Sequence, residues 1–285
     1  MKKFSWLLIL LFSIGLIASC GDDDDDPVLP PGDVATTLTY VLDDEKVTLS
    51  WDGDVGDVYY TFYIFAASNL DDIASITKIA ETTQNTYEIT SINGVPLDND
   101  NLYTFHVRTV REYEDNTEFY GDNHTDDVTV SPRPEGTDSI IWEFSSSDNP
   151  SGFGFNFGQA FSMTFADNHD KIDVYIGTDQ DNDGDGTLQI KSPTLVESPN
   201  DWSKEAYIED NGDFDLDDFG TALVSMTAQR QDIVLNHVYH IRFTDGADNQ
   251  IHYAKMKVIS IEDNFPNRTI TFDWAYQNYP NLPQF

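Results

Sequence analysis

Apolar and aromatic residues recur at every second position through most of the chain, as in Val47-Thr48-Leu49-Ser50-Trp51 and Leu102-Tyr103-Thr104-Phe105-His106-Val107. An α-helix needs a period of 3.6 to bury one face, whereas a strand turns successive side chains to opposite faces. The alternation therefore commits the chain to half-buried strands. Runs of the same kind span 58–65, 86–92 and 127–130, separated by turn formers such as Asp52-Gly53-Asp54, Asn93-Gly94 and Asp98-Asn99-Asp100. Ser131-Pro132-Arg133-Pro134-Glu135-Gly136 has no apolar period and reads as a domain boundary. Beyond it the pattern resumes at 140–144, 161–165, 171–176, 187–191, 237–243, 251–261 and 269–276, with one or two helical turns expected within 215–226. The expected fold class is all-β: an antiparallel sandwich over 33–133, a linker over 134–137, and a second, larger antiparallel sandwich or barrel-like domain over 138–285.

The first 32 residues follow another pattern. Lys2 and Lys3 precede an apolar run from about Trp6 to Ala18, the length of an export signal and too short for a bilayer span. The run stops at Cys20, the single cysteine of the chain, and Asp22 to Asp26 follow. Ile17-Ala18-Ser19-Cys20 resembles the bacterial lipobox. The resemblance implies removal of residues 1–19, a diacylglyceryl group on the Cys20 thiol and an acylated new amino terminus. Each buried methylene contributes about 0.8 kcal/mol, so two or more chains hold a protein to a membrane where one is marginal. Residues 20–32 then form an acidic, proline-rich stalk. Acidic residues directly after the acylated cysteine resemble the sorting signal of Bacteroidota lipoproteins, which implies the outer membrane and its cell-surface face; a solvated spacer is the alternative.

With Cys20 acylated, no thiol is left for a disulfide, and stability must come from packed cores. The 51 acidic against 15 basic residues give a formal net charge of -36, which repels phosphates and excludes nucleic acid as a partner.

Trp51 and the run Leu102 to Val110 resemble a fibronectin type III domain. In that family the tryptophan fills the core, and a tyrosine at the position of Tyr103 closes a corner by hydrogen bonding back to the backbone. His106, pointing opposite to Phe105 and Val107, is expected to face solvent. In the second unit, Val238 to Gly246, Tyr253 to Val258 and Ile270 to Gln277 resemble the C-terminal end of HmuY-like lipoproteins, a mostly β family of Bacteroidota surfaces whose characterised members capture haem between two histidines. That resemblance implies fold and location but assigns the haem ligands to no particular positions.

A separate geometric argument concerns His240 and His252. If Asp245-Gly246-Ala247 closes a hairpin, the two histidines fall opposite each other, about 4.5 to 5.5 Å apart at Cβ, where both can reach one metal or flank one planar ligand such as haem. A slip of one residue separates them, and two ordinary surface histidines are the alternative. Asp179-Gln180-Asp181-Asn182-Asp183-Gly184-Asp185-Gly186-Thr187 carries carboxylates at every second position and a glycine for the turn, the spacing that opens an EF-hand loop. Asp179, Asp181, Asp183 and Asp185 are thus candidate calcium ligands. Ile190 stands where such a loop ends in glutamate, so the expectation is a calcium-braced β loop, with a solvated acidic turn as the alternative. Phe153, Phe155 and Phe157 are expected on one core-facing strand, and Trp202, Trp274, Tyr276 and Tyr279 as core residues or an aromatic platform for sugars.

No nucleophile elbow, phosphate loop or HExxH pair occurs in the sequence. The functional expectation is a non-catalytic, lipid-anchored binding module. Its alternatives are haem-type ligand capture, glycan binding, and an adhesive or structural role with no small ligand.

Overall fold

The computed structural model describes residues 35–53, 60–68, 76–113, 116–146, 149–179, 186–196, 202, 204–218, 222, 225–244, 250–264 and 267–285, with the side chains of 60 and 111–123 left aside. Cys20 and the acidic stalk lie outside the described residues, as do Asp181, Asp183 and Asp185.

The first sandwich is built from β1 (Thr36–Asp43), β2 (Lys46–Asp52), β3 (Tyr60–Ser68), β4 (Thr77–Thr82), β5 (Thr86–Ile89), the short pair β6 (Ser91–Ile92) and β7 (Val95–Pro96), β8 (Tyr103–Tyr113), β9 (Asn116–His124) and β10 (Val128–Val130). One sheet runs β1-β2-β5; the other runs β10-β8-β3-β4, with β9 also pairing β8. Leu42, Val47, Leu49, Phe62, Ile64, Phe105 and Val107 fill the space between them, as period-two burial requires. Trp51 lies in this core, edge-on to Phe62 at 5.4 Å. The Tyr103 hydroxyl accepts the Asp98 N–H at 2.9 Å, the corner expected from the fibronectin type III resemblance.

The second sandwich contains β11 (Glu135–Trp142), β12 (Gly152–Gly154), β13 (Gln159–Phe161), β14 (Val174–Thr178), β15 (Leu188–Lys191), β16 (Ala206–Asp213), β17 (Arg230–Asp232), β18 (His237–Thr244), β19 (Ile251–Glu262) and β20 (Thr269–Gln277). Its sheets are β11-β20-β19-β18-β16 and β13-β12-β14-β15-β17, two open paths and not a closed barrel. Phe153, Val174, Ile176 and Ile190 from one sheet meet Ile241, Met256, Val258, Phe272 and Trp274 from the other. This unit has its own tyrosine corner: the Tyr239 hydroxyl accepts the Val234 N–H and donates to the Asp232 carbonyl, each at 2.8 Å.

Several local expectations fail for identifiable reasons. Phe161 to Phe165 is no continuous strand: the Asn168 amide donates to the Ser162 carbonyl at 2.9 Å, the chain turns, and Phe165 is exposed. Phe157 leaves the core because the chain passes from β12 into a 3-10 turn at Phe155–Phe157, closed by Gly158 at a φ of 60° that favours glycine. Residues 215–218 form a turn, the Asp215 N–H donating to Asp218 at 2.7 Å, and no α-helix occurs among the described residues. The proline-containing stretch 131–136, expected as a domain boundary, leads from β10 into β11. Ser131 and Arg133 are buried, and β11 begins at Glu135.

Inside the second sandwich, the Lys204 ammonium donates to Asp173 Oδ1 at 2.8 Å while Asp173 Oδ2 accepts the Phe155 N–H, also at 2.8 Å. Both side chains are almost wholly withdrawn from water. Removing one partner of such a pair strands the other charge, so Lys204→Ala is expected to lose roughly 3–5 kcal/mol in urea unfolding. At the exposed Lys78–Glu81 pair, Lys78→Ala is expected to change stability by less than about 1 kcal/mol. Equal losses in the two variants would contradict the buried-pair account.

Candidate functional site

The register of β18 and β19 decides the histidine pair. His240 lies opposite Lys255, and His252 opposite Phe243. Even-numbered residues of one strand thus meet odd-numbered residues of the other, and the two imidazoles fall on opposite faces of the sheet. The expected pairing of His240 with His252 is therefore corrected. The tight hairpin assumed at Gly246 gives a register three residues away from the observed one. His252 faces the core side, its Nδ1 2.9 Å from the Tyr276 hydroxyl, while His240 stacks on Phe285 with ring centres 5.8 Å apart. One haem iron cannot take both as axial ligands in this arrangement.

The aromatic platform is corrected as well. Trp202, Trp274 and Tyr276 are buried, with Trp274 and Tyr276 in the main core and Trp202 in a smaller apolar cluster. Tyr279 alone of the four is partly exposed. At the acidic loop, the Asp179 carboxylate accepts the Thr187 N–H at 2.8 Å, and the Asp179 N–H donates to the Thr187 carbonyl at 3.1 Å. The remaining three aspartates fall outside the described residues.

Two ionisable clusters that sequence reasoning missed stand out. The first spans the seam between the sandwiches. The Arg133 guanidinium, 1% exposed, donates to Glu135 at 3.2 Å and to Asp217 at 2.9 Å, and its backbone N–H donates to the Asp43 carbonyl at 3.1 Å. Lys255, wholly buried, donates to the Leu216 carbonyl and lies 5.0 Å from the Phe285 ring centre. Burial and then the Arg133 charge push the Lys255 ammonium down to about 7, against the opposing pull of Asp217, Glu135 and Asp218. Burial and the Lys255 charge push His240 down to about 4. Gln277, fully buried, donates to the Ser131 and Gln284 carbonyls at 3.4 and 3.0 Å. Alongside runs an open groove of about 640 Å³ with Asp43, Asp44, Glu45 and Glu135 in its walls.

The second cluster is His106, His124 and Asp127. His106 does point away from the core residues Phe105 and Val107, but it is not solvent-facing: its side chain is 5% exposed. Its ring lies 5.0 Å from that of Phe65 on the neighbouring strand and 4.5 Å from that of His124, nearly parallel to the latter. His106 Nδ1 is 3.1 Å from Asp127 Oδ1, and His124 Nδ1 is 3.8 Å from the same oxygen. His124 Nδ1 also lies 2.5 Å from the Thr125 carbonyl oxygen. Burial and then the neighbouring His124 lower the His106 pKa, while Asp127 acts the other way. In strict alternation His124 and Asp127, three apart, belong to opposite faces. A bulge changes that. Arg108 pairs His124 and Phe105 pairs Val128, so His106 and Val107 of β8 face Thr125, Asp126 and Asp127 on the edge chain. The extra residue returns Asp127 to the side that carries both imidazoles.

No family model matches the chain, and no curated protein matches it. Among solved structures, the FN5 domain of Drosophila Lar is 13% identical with a TM-score of 0.25, over 36% of this chain and 97% of that one. The structure of titin kinase and its flanking domains is 12% identical with a TM-score of 0.23, over 85% of this chain and 37% of that one. The twitchin kinase region from C. elegans is 13% identical with a TM-score of 0.27, over 87% and 39% respectively. The chain thus spans well under half of these last two, and similarity at this level carries no functional conclusion.

The seam generates a pH dependence. A lysine whose folded pKa lies below its unfolded value destabilises the fold fully below about pH 7, and the penalty fades as pH rises from about 7 toward 10.5. His240 adds a penalty that grows as pH falls from 6.5 to about 4. Unfolding midpoints in urea are expected to rise between pH 7 and pH 9 in the parent protein, and Lys255→Met to flatten that rise. An unchanged slope in the variant would contradict the assignment to Lys255.

Proposed function

We propose that the chain is an exported lipoprotein, acylated at Cys20 and held at the outer membrane with its β-sandwiches toward the cell exterior, where it serves as a non-catalytic binding or adhesive module. The observation that carries this reading is the junction Ile17-Ala18-Ser19-Cys20 at the end of a signal-length apolar run, followed by Asp22 to Asp26. The HmuY-like resemblance of 238–277 supports the same location. Haem capture by His240 and His252 is not part of the proposal, because they occupy opposite faces of one sheet. The large negative charge favours cations and neutral surfaces over phosphate-bearing partners.

The test is membrane partition of the full chain. The parent is expected in the membrane fraction and cleaved by protease added to intact cells, with fatty acyl chains on residue 20 by mass spectrometry; Cys20→Ala is expected to be released. An unmodified thiol at position 20, or a variant held as firmly as the parent, would overturn the anchor.

A calcium-braced loop at Asp179, Asp181, Asp183 and Asp185 is a further part of this reading, favoured by the backbone and carboxylate bonds that tie Asp179 to Thr187 at its base. Removing calcium with a chelator is then expected to lower the thermal midpoint by a few degrees. Identical midpoints with and without chelator would reduce the loop to a solvated turn.

A further inference from the structure

We propose that His106, His124 and Asp127 bind one divalent transition-metal ion of the zinc type on the outer face of the first sandwich. The three side chains offer one donor atom each, all within 4.8 Å of one another. Zinc bonds of about 2.0–2.2 Å to imidazole nitrogen and carboxylate oxygen put neighbouring tetrahedral ligands about 3.3 Å apart. The separations of 3.1 Å and 3.8 Å to Asp127 Oδ1 already bracket that value. To close the set the outer two side chains, 33% and 41% exposed, must turn, and His124 Nδ1 must leave the Thr125 carbonyl. His106, by contrast, is fixed between Phe65 and His124. One ligand is anchored, two can close on an incoming ion, and the fourth tetrahedral position is left to water or to a donor from another molecule.

The donor types choose the metal class. Two imidazoles and one carboxylate suit zinc, nickel, cobalt or copper, whereas calcium and magnesium require six or more oxygens or a near-octahedral water shell. The Arg108 guanidinium acts on the same face and opposes a cation, but it leans over the Phe65 ring at 5.4 Å. Asp127 and the net charge of -36 act the other way.

The bulge is the independent structural argument. It breaks the regular ladder of the edge chain with β8 over residues 125–127, where the Thr125 N–H still bonds the Val107 carbonyl, and it brings Asp127 to the face of His124 and His106. Bulges re-aim side chains in this way next to functional sites.

The experiment is calorimetric titration of the purified full chain with zinc chloride in millimolar calcium, together with the visible spectrum of the cobalt(II) adduct. Parent protein is expected to bind one zinc that calcium does not displace, and to give the intense visible bands of low-coordinate cobalt. The partly exposed ligands can be altered with least risk to folding: His124→Ala and Asp127→Asn are each expected to weaken zinc binding at least tenfold and abolish the cobalt bands, with unchanged circular dichroism. Asp181→Asn and Asp183→Asn are expected to leave both readouts as in the parent. Absence of zinc binding by the parent, displacement by calcium, or parent-like binding in His124→Ala and Asp127→Asn would each overturn the site.

Discussion

The Arg133 guanidinium is the charge on which the arrangement of the two sandwiches depends. It is almost completely withdrawn from water, yet its carboxylate partners are half in solvent: the side chains of Glu135 and Asp217 are 38% and 59% exposed. Its ion pairs are with Glu135 and Asp217 of the second sandwich, while Asp43 of the first acts on it through its charge and accepts its backbone N–H, so the buried cation draws on both sandwiches. The residues about it share the consequence. Lys255 is pushed toward neutrality, His240 is kept deprotonated to low pH, and Phe285 covers both. Further bonds cross the same seam, from Gln277 to the Ser131 carbonyl and from Asn278 to Asp100. Polar contacts thus join the two sandwiches along this seam.

How much of this was legible in the sequence depended on whether a feature follows from alternation alone. β2, β8, β18, β19 and β20 announce themselves because their buried faces are apolar and uninterrupted, and the Tyr103 corner follows from the position of one residue at the head of a strand. Strands whose sequence is mostly polar were invisible: β9 reads Asn-Thr-Glu-Phe-Tyr-Gly-Asp-Asn-His and β16 ends in Glu-Asp-Asn-Gly-Asp. Such strands are held by backbone pairing to a neighbour, which composition does not record. The stretch around Arg133 was legible only as a boundary. Two prolines and a glycine signal a break in periodicity, but they carry no information about whether the break is solvated or sealed.

Register and bulges account for the differences at the functional positions. The relation of His240 to His252 rests on the register of β18 against β19, and a shift of three residues moves one imidazole to the other face of the sheet. At His124 and Asp127 the effect has the opposite sign: alternation separates residues that a one-residue insertion reunites. His106 illustrates a third limit. Its direction was correctly read, but its burial comes from Phe65 and His124, contributed by two other strands. Chemistry-bearing clusters in β proteins are assembled across strands, so pairing must be known before they can be seen.

The dependence on Arg133 is most directly tested by the cooperativity of unfolding. In the parent protein, fluorescence of the core tryptophans and far-ultraviolet circular dichroism are expected to report a single coincident urea transition. Arg133→Ala is expected to split it into two, one for each sandwich. Two well-separated transitions in the parent, unmoved by the substitution, would contradict the seam account.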